Sequence, residues 1–211
     1  MQYKQCGTLE INVKELGIDL LSLSAHKIYG PKGVGALYVK KGTKLQQLIT
    51  GGHQERNKRA GTENIAGIVG LGKAIELAYE DLHEENKKIR NLRDYYISEV
   101  KKRIPEIKIN GDLGNRLPGN SNISFKYIEG ESLLLNLDLK GICASSGSAC
   151  TSGSLDPSHV LLAIGLSHEI AHGSLRVSIG KNNTKEEIDY LLDNLEEIVQ
   201  RLRNMSPLYE G

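Results

Sequence analysis

The C-terminal end of the chain sets the strongest constraint on its fold. Thr184 and Glu187 stand at capping-box spacing, in which each side chain takes up a free backbone N–H at a helix start. Ile188, Leu191, Leu192, Leu195, Ile198, Val199 and Leu202 then recur at helical spacing as one apolar stripe. Upstream, IKIN, SNISFKYI and GSLRVSIG read as strands, and GESLLLNLDL as a short helix with Leu133, Leu134, Leu137 and Leu139 towards the core. Pro157 sits near the start of a helix in PSHVLLAIGL that Gly165 can end. Helices and strands in this mixture predict an α+β segment.

The first part of the chain has a different texture. Residues 18–24 (IDLLSLS) are mostly apolar, which suits a strand covered on both faces. Gly30, Pro31, Gly33 and Gly35 punctuate a turn before a second short strand, ALYV. A polar loop, TGGHQERNKRAGTEN, separates this from a helical pattern beginning at Glu63, with Ile65, Ile68, Val69, Gly72, Ile75 and Leu77 near one face. A charged helical stretch from Glu80 to Ile104 ends at Pro105. The whole reads as α/β followed by α+β, with the boundary inside helix near residues 78–88; the expected domains are 1–80 and 81–211.

Composition narrows the function classes. Lys plus Arg number 27 and Asp plus Glu 26, a net charge of +1, so nothing electrostatic favours direct binding of nucleic acid. No apolar run is long enough to cross a bilayer, and MQYKQCGTLE carries no signal-peptide core. Three Cys without paired spacing do not make a disulfide scaffold and fit a reducing, cytoplasmic setting.

Four constellations could carry chemistry. In Ser24-Ala25-His26-Lys27, a lysine at a strand end can lose part of its solvation, which frees the amine to condense with an aldehyde. Ser24 and His26 offer donors for an anion, although each could be an ordinary turn residue. Thr62 sits where an N-cap belongs, and a helix start preceded by Arg59 suits a phosphate; plain capping also explains it. Cys150 lies in the small-residue loop ASSGSACTSGS, which buries little area and could carry a thiolate to a substrate; a buried thiol in a turn is the plainer reading. Cys143 and Cys6 read as such buried thiols, and Cys143 with Cys150 lacks compact metal-ligand spacing, so no metal site is expected. Arg176 interrupts the strand SLRVSIG and needs a partner, either a substrate carboxylate or a structural salt bridge.

Taken together, SLSAHKIYGPKGVGALYV, GGHQERNKRAGTEN, YIEGES, ASSGSACTSGSLDPSHVLLAIGL, AHGSLRVSIG and RLRNMSPLYEG resemble, in order, blocks of cysteine desulfurases of the NifS/IscS type. These belong to the class V aminotransferase group of fold type I pyridoxal phosphate enzymes. The resemblance implies the C-terminal part of the fold type I large domain in residues 1–80, then a small α+β domain carrying the catalytic Cys loop in 81–211. It implies pyridoxal 5'-phosphate held by Lys27 through a Schiff base, with its phosphate bound by Ser24 and His26, and by Thr62 of the neighbouring subunit of a homodimer. Cys150 would take sulfur from L-cysteine as a persulfide, leaving alanine, and Arg176 would hold the substrate carboxylate. The uninterrupted Cys loop resembles the branch that passes sulfur to a separate acceptor protein, an iron–sulfur scaffold or a tRNA-thiolation enzyme.

The resemblance covers the family's second half only. Met1 stands where the family has the Asp that pairs with the pyridine nitrogen, and Lys4 where it has a Gln. Such a chain is expected to need the first half from a separate polypeptide, or to be a fragment, or to persist as a noncatalytic binding module. A related lyase, one acting on selenocysteine, is the nearer alternative.

Overall fold

A computed structural model describes residues 7–146 and 157–209 of the chain. The chain divides into two compact units, Met1–Glu84 and Glu85–Gly211.

In the first unit, strands β1 (Leu20–Ser24) and β2 (Gly35–Val39) pair antiparallel, with Ser24 opposite Gly35. A 3₁₀ turn, Ala25–Ile28, continues β1. A single turn, α1 (Gln54–Asn57), precedes helix α2 (Ile65–Glu80). Ala25, Ile28, Leu71 and Ala74 form the unit's buried cluster. Two expectations change here. Of the β1 leucines only Leu21 is buried, and Leu20 is exposed, so β1 is not covered on both faces. Helix α2 buries Gly67, Leu71 and Ala74; of the predicted stripe, Ile75 packs against this cluster, while Ile65, Ile68, Val69, Gly72 and Leu77 are exposed. The helix is apolar on two sides, and small residues let the side with Ala74 approach Ala25 and Gly30 closely.

Helix α3 (Leu82–Arg103) leads into the second unit, where β3 (Ile107–Ile109), β4 (Asn120–Phe125) and β5 (Ser174–Ser178) form an antiparallel sheet in the order β3-β4-β5. Helix α4 (Gly130–Asp138) follows β4, and two short helices, α5 (His159–Ala163) and α6 (His168–His172), precede β5. Helix α7 (Lys185–Asn204) starts at the Thr184–Glu187 capping box. Ile123, Phe125, Leu133, Leu137, Leu195 and Ile198 are fully buried in one core built from β4, α4 and α7 with α3 and β5. Each such side chain contributes about 1.5–3 kcal/mol from burial. Leu139 lies outside this core at 84% exposure: its backbone is still helical, and two residues beyond the buried Leu137 it falls on the opposite side of α4.

The end of α7 is fixed by a buried guanidinium. Arg203 donates to the carbonyls of Pro105 (2.9 Å), Glu106 (3.0 Å) and Lys126 (3.2 Å), and Tyr209 lies over it. These carbonyls belong to chain entering β3 and leaving β4, so one side chain ties the C-terminal helix to both strands. Among the described residues, no helix is long and apolar enough to cross a membrane.

Candidate active site

The turn holding Lys27 is built by its buried neighbours. A 3₁₀ helix repeats every three residues, so Ala25 and Ile28 fall on one side, and both are buried. His26 and Lys27 are left exposed between them. Tyr29 closes the turn in the left-handed region (φ 61°), and Gly30 N–H bonds Ala25 O at 2.9 Å. Gly30 is required there, since a Cβ would sit 2.9 Å from that of Ala74 and 3.0 Å from that of Ala25. Ser24 Oγ lies 2.8 Å from His26 Nδ1, which orients the imidazole. Ser24, His26 and Lys27 thus share one turn. Lys27 is exposed among the described residues.

The polar loop before α2 is organised by its own carbonyls. Arg59 Nη1 donates to Ala60 O (3.1 Å) and Gly61 O (2.9 Å), so this guanidinium is not merely solvated. Gly61 N–H donates to Gln54 Oε1 at 3.1 Å, and His53 Nδ1 lies 2.6 Å from Asn57 Oδ1. Glu55, Arg56 and Asn57 all have positive φ, a run that costs roughly 1–2 kcal/mol per residue for side chains with a Cβ. Thr62 is exposed and is not the N-cap of α2. That place is taken by Asn64, whose Oδ1 accepts from Gly67 N–H at 3.1 Å, because the helix begins at Ile65.

In the second unit, Arg176 sits mid-strand in β5, half-buried. Its backbone exchanges two hydrogen bonds with Ser145, Arg176 N–H to Ser145 O at 2.5 Å and Ser145 N–H to Arg176 O at 3.3 Å. Ser174 Oγ donates to Ser146 O at 2.9 Å. The start of the small-residue segment therefore lies along β5 at the arginine itself. Cys150 and Cys6 lie outside the described residues. Cys143 is exposed, not the buried thiol expected from its neighbour Ile142, because it follows α4 on chain leading to the sheet edge. His159, His168 and His172 are exposed, and no metal-holding cluster occurs among the described residues. Helix α6 is not among the elements the sequence patterns predict. Ser167 as a capping residue, accepting from Ile170 N–H, was the available signal for α6.

A profile of the family "Aminotransferase class-V" matches residues 4–191. The chain belongs to the class-V aminotransferase family. Within it, the chain is 64% identical over 206 residues to a cysteine desulfurase IscS of Clostridium botulinum, matching 97% of this chain and 52% of the relative. It is 58% identical to the cysteine desulfurase IscS of Methanosarcina thermophila, covering 96% of this chain and 50% of that one. A solved NifS-like protein superposes with a TM-score of 0.85 at 38% identity, over 95% of this chain and 52% of that one. A NifS-like protein from Rickettsia africae gives 0.84 at 32% identity, over 94% of this chain and 52% of that one. The α/β architecture is that of part of a fold type I aminotransferase-like enzyme, and the chain spans about half the length of the curated relatives it matches.

Proposed function

We propose that this chain carries the lysine, the thiol and the carboxylate-binding arginine of a pyridoxal phosphate-dependent cysteine desulfurase. The observation that carries the reading is the Ser145–Arg176 pairing. It ties Ser145, at the start of the small-residue segment, to the strand that carries the guanidinium.

The donor set of the first unit fits the cofactor. An exposed primary amine can hold its aldehyde, and the hydroxyl–imidazole pair of Ser24 and His26 can donate to its phosphate. Bound there, the cofactor would draw electrons from the substrate's carbon skeleton. Lys27 Nζ would move the proton at the substrate Cα. Arg176 would take the carboxylate in a two-point grip. Cys150 Sγ would bond to the substrate sulfur as the Cβ–S bond breaks, so that L-cysteine and enzyme thiol become L-alanine and enzyme persulfide, with no external oxidant or reductant. Thr62 would serve the phosphate of a second subunit in a homodimer, and the persulfide would pass to an iron–sulfur scaffold or a tRNA-thiolation enzyme in the cytoplasm.

One observation favours a second reading, a noncatalytic module. Helix α2 leaves Ile65 and Val69 at 65% and 67% exposure, and a helix apolar on two sides is normally covered on both. In the desulfurase reading, the part of the relatives that this chain does not match supplies that cover. Mixing the purified chain with pyridoxal phosphate separates the two. An imine absorbance band abolished by Lys27→Ala supports the enzyme; its absence at every cofactor concentration supports the module.

A further inference from the structure

Residues 168–172 read His-Glu-Ile-Ala-His and form the whole of α6. A helix turns about 100° per residue, so positions four apart stand on one face, with Cβ atoms about 5–6 Å from each other. His168 and His172 hold two such positions. The far side of α6 is the buried one: Ala171 is buried and Ile170 packs beside it, in a cluster with Leu161 and Leu166. That leaves His168, Glu169 and His172 exposed together on the outward side. Both ends of the helix are held. Ser167 caps its start, its side chain accepting from Ile170 N–H and its carbonyl from Ala171 N–H at 3.0 Å. At the other end, Gly173 O accepts from Phe125 N–H of β4 at 2.8 Å. A Cβ at Gly173 would collide with Phe125 O, so the chain leaving α6 runs hard against the strand. The backbone that carries the two imidazoles is therefore fixed before any ligand arrives.

His26, His53 and His83 each have a side-chain partner. Among the described residues the imidazoles of His168 and His172 have neither a hydrogen bond nor an ion pair, so their ring nitrogens are free to donate lone pairs. Imidazole nitrogen favours Zn²⁺, Cu²⁺ and Ni²⁺ over the oxygen-seeking Ca²⁺ and Mg²⁺. Two imidazoles one helical turn apart can grip one such ion as a chelate, the arrangement that H-E-x-x-H spacing gives. Among the described residues no group of three or more His, Cys, Asp or Glu could hold a metal, so the pair supplies two of the four positions of a tetrahedral ion. The others are left to water or to ligands on another molecule. Glu169, next along the outward side, adds a negative charge that favours a cation.

We propose that His168 and His172 form a two-histidine site for a divalent transition-metal ion of the zinc class on the outward face of α6, made of residues that the desulfurase reading does not use. The test is a titration of Zn²⁺ into the full ¹⁵N-labelled chain, following the ring nitrogens of His159, His168 and His172. The His168 and His172 signals should move together, with one affinity. His168→Ala and His172→Ala should each weaken that binding at least about tenfold, because the remaining imidazole loses a partner held at high effective concentration. Both side chains are exposed, so the urea midpoints of these variants should stay close to the native value, which separates a lost ligand from a lost fold. His159→Ala should bind as the native chain does. Thiol binding elsewhere would persist in every variant without moving the two rings. If the rings titrate independently, or if either replacement leaves the affinity at the other ring unchanged, the two are separate surface histidines and the chelate is overturned. An equal loss in His159→Ala, or no movement of either ring in excess Zn²⁺, overturns it as well.

Discussion

Ser145 and Arg176 exchange both of their backbone hydrogen bonds, so the edge of β5 not paired with β4 receives the chain that leads towards Cys150. Ser174 reinforces this attachment from a buried position two residues away, with its hydroxyl on the carbonyl of Ser146. Replacing Ser174 by Ala leaves that carbonyl without its donor. The expected cost is about 1–3 kcal/mol, read as a lower urea midpoint with an unchanged slope.

The two helix starts give a contrast that checks the corrected boundary of α2. Asn64 caps α2 and Thr184 caps α7, whereas Thr62 caps nothing. Asn64→Ala and Thr184→Ala should each lower stability by about 1 kcal/mol. Thr62→Ala should stay within about 0.5 kcal/mol of the native chain. A loss for Thr62→Ala equal to that for Asn64→Ala in urea unfolding would return the cap to Thr62.

Acid should loosen the start of α7. Hydrogen bonds from Asn183 and from the backbone N–H of Thr184 hold the Glu187 carboxyl below the usual glutamate range. Lys185 first, and then Tyr95, do the same for Asp189. A carboxyl whose folded pKa is depressed binds fewer protons folded than unfolded. Its contribution is therefore full above the ordinary carboxylate value, about 4, and is lost as pH falls through the folded value. Stability measured from pH 6 downwards should drop through this window. Glu187→Gln keeps the capping geometry and should make the drop shallower.

Much of the second unit was legible in sequence because its signals are local and agree. The Thr184–Glu187 box, the α7 stripe, Pro105 after α3 and Gly165 after α5 each sit beside the boundary they mark. In the first unit the turn of Ser24, His26 and Lys27 was legible as a cluster, but its exposure was not. Burial of a strand end depends on what packs over it, and among the described residues Lys27 is exposed. The α2 stripe misled for a related reason. Ile65, Ile68 and Val69 stay exposed while Gly67, Leu71, Ala74 and the half-buried Ile75 turn towards the Ala25 turn, a choice between two apolar sides of the helix that periodicity alone does not make. The contact between the side chains of Asn110 and Asn122 left no mark at all. Their relation is a cross-strand register, and register is fixed only once β3, β4 and β5 have assembled.

The direct test of a joint role for Lys27 and Cys150 is transfer of labelled sulfur. The chain, supplied with the part of the relatives it lacks and with pyridoxal phosphate, is given ³⁵S-L-cysteine, and the label is mapped by peptide. The expected result is reducible ³⁵S on the Cys150 peptide, lost in Cys150→Ser and equally lost in Lys27→Ala. Label that reaches Cys150 undiminished in Lys27→Ala, or that settles on Cys143 instead, would contradict it.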